Sequence, residues 1–270
     1  MKIVSFNINS IRARMHQLEA IIARHQPDFI GLQETKCQDK DFPEEAIQAL
    51  GYHVIFHGQK THYGVALLSR QRPEAVIKGF PTDEDDAQRR FIGAKFQFRD
   101  SPLWVYNGYF PQGENQGHPT KYPAKARFYS DLTNLIGNSH TPSDQLVIMG
   151  DLNISPTDAD IGIGDANRKR WLRDGKCSFL PEEREWLSTL LAQGLSDSFR
   201  ALNPAVDDQF SWFDYRSRGF EDTPKRGLRI DGILVTDSLL NLSESAGIDY
   251  DIRSMDKPSD HAPVYLHLKD

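Results

Sequence analysis

The sequence predicts one α/β domain spanning residues 1–270, in which two packed β-sheets carry their helices on the outside. Three observations point there. Strand-like runs follow one another without intervening helices across residues 52–110, the pattern of antiparallel pairing, while helical periodicity is confined to a few other segments. The 270 residues are 39% hydrophobic and 26% charged, an ordinary globular composition that can bury a sizeable core. No low-complexity segment, short-period repeat or linker divides them.

The elements follow in order. Residues 2–8 alternate and end at Asn7-Ile8-Asn9-Ser10. Ser10 is placed to cap a helix whose apolar positions Met15, Leu18, Ile21 and Ile22 keep helical spacing until Pro27 breaks it. Residues 29–32 are a buried strand that runs into Gln33-Glu34-Thr35-Lys36, and Pro43 opens a short helix closed by Gly51. Residues 52–56, 63–69, 91–98 and 103–110 read as strands, 122–136 as a helix and 146–149 as a buried strand. Residues 155–180 are loop-rich and basic, with Arg168, Lys169, Arg170, Arg173 and Lys176. Pro181 opens a helix that Gly194 closes, an aromatic cluster occupies 210–216, and strands are expected near 228–235, 247–253 and 263–268.

Several function classes drop out. No run of about 18 apolar residues is present, which argues against a membrane span. Residues 1–6 go straight into a strand pattern without the apolar segment or cleavage site of a signal peptide. Two cysteines, Cys37 and Cys177, are too few for a disulfide framework or a thiolate metal site, and they suit a reducing cytoplasm. The net charge of −6 argues against nucleic acid only weakly, because electrostatic footprints are local.

The chemistry collects at strand ends. Met149-Gly150-Asp151-Leu152-Asn153 takes a buried strand into an acid and an amide two residues apart, which can face one small space if the chain stays extended; the same pair can also simply close an Asx-turn. Asn7 and Asn9, Glu34, Asp231, and Asp260-His261 end other strands. Their acids and amides are oxygen donors, the choice of Mg²⁺ or Mn²⁺ over Zn²⁺, and Glu34 is the best single metal ligand. Asp231 lies in an otherwise apolar run and needs a partner if buried; His261 is a good one, since a carboxylate fixes an imidazole's tautomer and stabilises its charged form. Tyr109 is either a phosphate donor or a buried phenol with a backbone partner. Trp212 and Phe213 are either core or a stacking wall, and the basic segment is either a solvated face or a phosphate-contact surface beside a site.

Six segments in this order resemble the exonuclease III family of apurinic/apyrimidinic endonucleases. They are Ser5-Phe6-Asn7-Ile8-Asn9, Leu32-Gln33-Glu34-Thr35-Lys36, Asn107-Gly108-Tyr109-Phe110-Pro111, Gly150-Asp151-Leu152-Asn153, Gly227-Leu228-Arg229-Ile230-Asp231 and Ser259-Asp260-His261. The resemblance covers the whole chain, and no catalytic position departs from it. It implies a four-layer α/β sandwich, two packed mixed but mostly antiparallel sheets flanked by helices, as in pancreatic deoxyribonuclease. It also implies a divalent-metal enzyme of DNA base-excision repair acting on double-stranded DNA with abasic sites or blocked 3′ ends; with the oxygen donor set the expected ion is Mg²⁺ or Mn²⁺, and a monomer is expected. The implied activities are incision 5′ to abasic sites, 3′-to-5′ exonuclease, removal of 3′ blocks, and hydrolysis of RNA in hybrids. By the same resemblance Glu34 holds the metal with Asn7, and Asp260 supports the metal side. Asp151 moves a proton, Asn153 positions the nucleophile or phosphate, and these two are also candidates for a second metal position. Tyr109 and His261 bind the scissile phosphate, with Asp231 orienting His261. Trp212, Leu228 and Ile230 line the pocket for an extruded sugar, Phe213 is a further candidate DNA contact, and Gln112, Lys121, Arg168, Lys169 and Arg170 grip the strands.

Overall fold

The structure is a computed structural model that describes residues 1–269. Its strands, in chain order, are Lys2–Asn7 (β1), Phe29–Gln33 (β2), His53–His57 (β3), Val65–Ser69 (β4), Ala75–Lys78 (β5), Phe91–Phe98 (β6), Ser101–Tyr109 (β7), Gln145–Asp151 (β8), Leu195–Asp197 (β9), Asp231–Thr236 (β10), Ser243–Ile248 (β11) and Val264–Leu268 (β12). Among the described residues they form two six-stranded sheets, ordered β11-β12-β1-β2-β4-β3 and β5-β6-β7-β8-β10-β9.

The two sheets share one plan. β1 and β2 run parallel at the centre of the first, β7 and β8 at the centre of the second, and the neighbouring strands pair antiparallel. A parallel pair delivers two carboxyl ends to one rim, and an antiparallel neighbour brings its first residue to the same rim. The register places Asn7 opposite Gln33 in one sheet, and Tyr109 opposite Asp151 opposite Asp231 in the other.

Alternation along the strands sets the layers. Ile3, Phe29, Val65 and Leu67 face Ile92, Phe96, Val105, Val147 and Met149 across the space between the sheets. The alternate residues Val4, Phe6, Ile30 and Leu32 pack outward under helix Met15–His25 (α1), and helix Glu44–Ala49 (α2) adds Ile47 to that layer. Tyr106, Ile148 and Leu234 pack outward under helices Lys121–Ser139 (α3) and Pro181–Leu191. The result is the expected four-layer sandwich, helices on sheet on sheet on helices. A buried amide stitch joins the sheets beneath the rim: Asn107 of β7 donates to the carbonyls of Leu32 (2.9 Å) and Ala66 (2.8 Å) and accepts from Gln33 (2.6 Å). At Gly150 a β-carbon would lie 1.9 Å from the Gly108 carbonyl oxygen at φ +156°, so only glycine lets β8 pass β7 this closely before Asp151.

Several expected boundaries shift. Ser10 does not cap α1, because its side chain makes no cap bond and a 3₁₀ turn, Ile11–Ala13, intervenes. The strand expected at 247–253 is β11 followed by a helical turn, Tyr250–Arg253, capped by Asp249. Residues 228–230 precede β10: Leu228 makes isolated bridges to Ile161 and Trp212, and Arg229 bonds Asp160 and Asp197 through its side chain. Inside the segment expected as loop, residues Asp165–Arg173 form a helix (α4) with no buried residue, so it lacks the apolar stripe that reveals helices in sequence; the helix Pro181–Leu191 that follows is α5. No helix among the described residues is long and apolar enough to cross a membrane.

Candidate active site

The rim residues converge on one cavity of about 280 Å³, lined by Asn7, Glu34, Tyr109, Asp151, Asn153 and His261 on its polar side. Trp171, Trp212, Leu228 and Ile230 supply its apolar wall, and Gln112, Lys176, Ser178 and Asp260 complete it.

Asp151 is the last residue of β8, is nearly inaccessible, and accepts a hydrogen bond from Asn7 Nδ2 at 3.0 Å. Burial raises its pKa to about 7, although the charge of His261, whose Nε2 is 3.8 Å from Oδ2, works the other way. Burial alone would lower the pKa of His261. Asp231, accepting from Nδ1 at 2.9 Å, and then Asp151 reverse that and hold it at about 10. The imidazole is therefore a buried imidazolium at neutral pH, fixed by the carboxylate that the sequence paired with it. Two hydroxyls support this pair. Ser211 Oγ accepts from the backbone N–H of Ile230 and Asp231, and Ser259 Oγ donates to the Asn7 carbonyl while accepting from His261 N.

Glu34 follows β2 at φ +52°, and Asn153 lies two residues beyond β8 at φ +53°. Both occupy the left-handed region that ordinary residues avoid, strain of the kind that collects at functional sites. Asn153 is held there by donating from its backbone N–H to Asp151 Oδ1 (3.1 Å) and from its amide to the Phe110 carbonyl (2.8 Å). Glu34 receives the hydroxyl of Tyr109 on one oxygen and faces Lys36 Nζ at 3.4 Å with the other. Burial, with Glu34 beside it, pushes the Tyr109 phenol well above its usual range, so it stays a hydrogen-bond donor. Asp260 is committed on both oxygens, to Asn9 Nδ2 at 2.9 Å and to the indole of Trp212 at 3.1 Å. It ties the apolar wall to the β1 end.

The carboxylates of Asp151 and Asp231 with His261 form a group close enough to hold a cation. Because His261 is charged and already bound to Asp231, the carboxylate of Glu34, which faces Lys36 Nζ at 3.4 Å, is the alternative oxygen donor for a hard ion.

The binding residues divide. Arg170 reaches a second cavity of about 440 Å³ that shares Trp171, Lys176 and Trp212 with the first and adds Arg216 and Arg226. Lys169 is exposed on α4; Arg168 pairs with Asp158 at 2.5 Å, and Lys121 pairs with Glu114 at 2.6 Å, both outside the cavity. The expectation that Phe213 meets DNA is corrected: it is fully buried edge-on against Phe220 and Tyr250, behind Trp212. Sequence reasoning missed Ser178, whose residue type carries no signal, and Arg90. The Arg90 guanidinium lies between the rings of Tyr63 (4.2 Å) and Tyr109 (4.5 Å) and donates to the Tyr109 carbonyl.

Residues 4–261 match the Endonuclease/Exonuclease/phosphatase family, and the chain belongs to it. Within that family it is 60% identical, over the whole of both chains, to exodeoxyribonuclease III of Haemophilus influenzae. It is 30% identical to the DNA repair nuclease APEX1 of Danio rerio, over 99% of this chain and 82% of that one. Among solved structures, a 3′ phosphatase, NExo, from Neisseria bound to a product DNA hairpin matches over the whole of both chains with a TM-score of 0.90 at 36% identity. An AP endonuclease from Archaeoglobus fulgidus does so with a TM-score of 0.90 at 31% identity.

Proposed function

We propose that the chain is a divalent-metal-dependent phosphodiesterase of DNA repair. It incises duplex DNA 5′ to abasic sites, degrades double-stranded DNA from 3′ ends, removes 3′-phosphate blocks, and cleaves RNA in hybrids. It acts as a single domain and a monomer in the cytoplasm. The observation that carries the reading is one cavity in which an acid of raised pKa, an imidazolium and the carboxylate of Glu34 face an apolar wall. The relatives named as nucleases of DNA support it.

In-line displacement at a phosphodiester gathers negative charge, and fixed donors stabilise it best where water is excluded. Glu34, with Asn7 beside it, would hold Mg²⁺ or Mn²⁺, which when bound neutralises charge on the phosphate. The imidazolium of His261 and the hydroxyl of Tyr109 donate to the phosphate oxygens. Asp151, its pKa raised by burial, exchanges a proton with the attacking water or the leaving oxygen. Asn153 positions the nucleophile, and Asp231 keeps His261 oriented and charged. Trp212, Leu228 and Ile230 receive the extruded abasic sugar, which costs little to flip because no base pair is broken. Gln112 and Lys121 with Arg168, Lys169 and Arg170 contact the strands.

A phosphatase of small phosphorylated substrates on the same fold would keep the polar half of this cavity. The indole wall and the basic cavity beside it favour DNA. Incision of a duplex carrying one abasic analogue, dependent on Mg²⁺ and stopped by chelator, is the expected result. Phosphate release from inositol phosphates without strand incision would overturn the reading.

A further inference from the structure

Beneath the cavity, and outside its lining, lies a fully buried ion pair between Lys125 of α3 and Glu183 of α5. An ammonium has three protons to place, and all three find acceptors: Glu183 Oε1 at 2.5 Å, the Asn153 carbonyl at 2.8 Å and the Gln112 carbonyl at 3.3 Å. The second Glu183 oxygen accepts from the backbone N–H of Ser178 (2.9 Å) and Leu180 (2.8 Å). One charge pair thus grips three separate loops, and each loop places one residue in the cavity: Gln112, Asn153 and Ser178.

We infer that Lys125 and Glu183 are positioning residues for the catalytic loop, setting where Asn153 stands relative to the phosphate while touching neither substrate nor metal. Stability alone does not account for the pair. A buried ion pair offers little net stabilisation over apolar side chains of similar volume, because its desolvation offsets its attraction. What apolar residues cannot supply is a fixed point for two carbonyls and two N–H groups. Asn153 needs one: it holds a left-handed backbone conformation at φ +53°, as does Gly113 beside Gln112 at φ +87°. The Ser155–Ser178 backbone bond (2.7 Å) and the Cys177–Glu114 backbone bond (3.2 Å) then lock the loops to one another, so a shift at one reaches the others.

The inference rests on the proposed nuclease activity, and its test separates the two. Wild-type protein is assayed first on a single-abasic duplex with Mg²⁺; no incision there overturns the nuclease reading itself. The double variant Lys125→Met/Glu183→Met is then compared, with thermal unfolding followed alongside. The expected result is a folded protein whose kcat falls by roughly 10- to 100-fold, the scale of a misplaced catalytic group. Its KM, and its affinity for abasic duplex in chelator, change by much less than kcat, because Trp212, Leu228, Ile230 and the basic residues of α4 are untouched and Gln112 alone among the strand contacts lies on a gripped loop. A folded double variant with wild-type kcat overturns the inference while leaving the nuclease reading intact. If the double variant does not fold, Glu183→Gln decides. It keeps the volume but presents an amide that cannot accept on both sides, and the same selective loss of kcat is expected; unchanged kcat, or equal losses in kcat and duplex affinity, overturns the inference.

Discussion

At Asp151 the local environment and the chemistry coincide. The side chain ends a central strand, loses its water, and keeps two N–H donors, from Asn7 and Asn153, and one cationic neighbour. Asp151→Asn changes almost no volume but removes the proton-transfer group, so incision should fall by roughly 10² to 10⁴. Affinity for an abasic duplex, measured in chelator, should be nearly unchanged. Single-turnover rates close to wild type would take Asp151 out of the mechanism. The alternative reading of this stretch as a plain Asx-turn was half right: Asn153 N–H does bond Asp151 Oδ1, yet the other carboxylate oxygen faces the site. A turn and the proposed proton-transfer group share the residue, and the sequence alone could not separate them.

Among elements, α4 shows how a helix escapes detection. Its positions carry charge rather than an apolar stripe, and it packs through Trp171, which stacks on Phe179 beneath Lys176. Such a helix serves its surroundings with charge. Replacing Lys169 and Arg170 by Ala should weaken DNA binding without regard to sequence and lower the slope of log affinity against log salt by roughly 2, one per lost phosphate contact. The check is a titration of duplex across salt concentrations. An unchanged slope would mark α4 as a solvated face. Phe213 makes the opposite point: next to Trp212 in sequence and equally aromatic, it faces the core, because neighbours in extended chain point to opposite sides.

Across the whole molecule, the wall of the cavity is moored by a buried charge network. Asp160 accepts from Arg229 (2.6 Å), Arg200 (2.6 Å) and Thr157 (2.8 Å), and Arg229 continues to Asp197 of β9. Burial pushes the Asp160 carboxyl upward, but Arg229 and its other donors outweigh it and hold the group below its ordinary value of 3.8. With the folded pKa depressed, this contribution is complete above the unfolded value and is lost as pH falls through the folded one. Asp160→Asn should therefore cost about 3–5 kcal/mol near neutrality, the scale of breaking a buried pair. The gap from wild type should narrow as the pH is taken down through the acid range, read from urea midpoints. A gap independent of pH would remove Asp160 as a source of acid sensitivity.

Local patterns determined the central strands, helices α1, α2, α3 and α5, and the polar strand ends, because periodicity and end signals are properties of neighbours along the chain. They also carried the pairing of Asp231 with His261, since a carboxylate in an apolar run demands a partner. The tertiary structure decided the rest. The joining of two rims into one cavity, the aim of Asp260 at Trp212, the burial of Phe213 and the Lys125–Glu183 pair beneath Asn153 all join residues far apart in the chain. Such meetings are set by how two sheets pack face to face, and no window of sequence contains both partners.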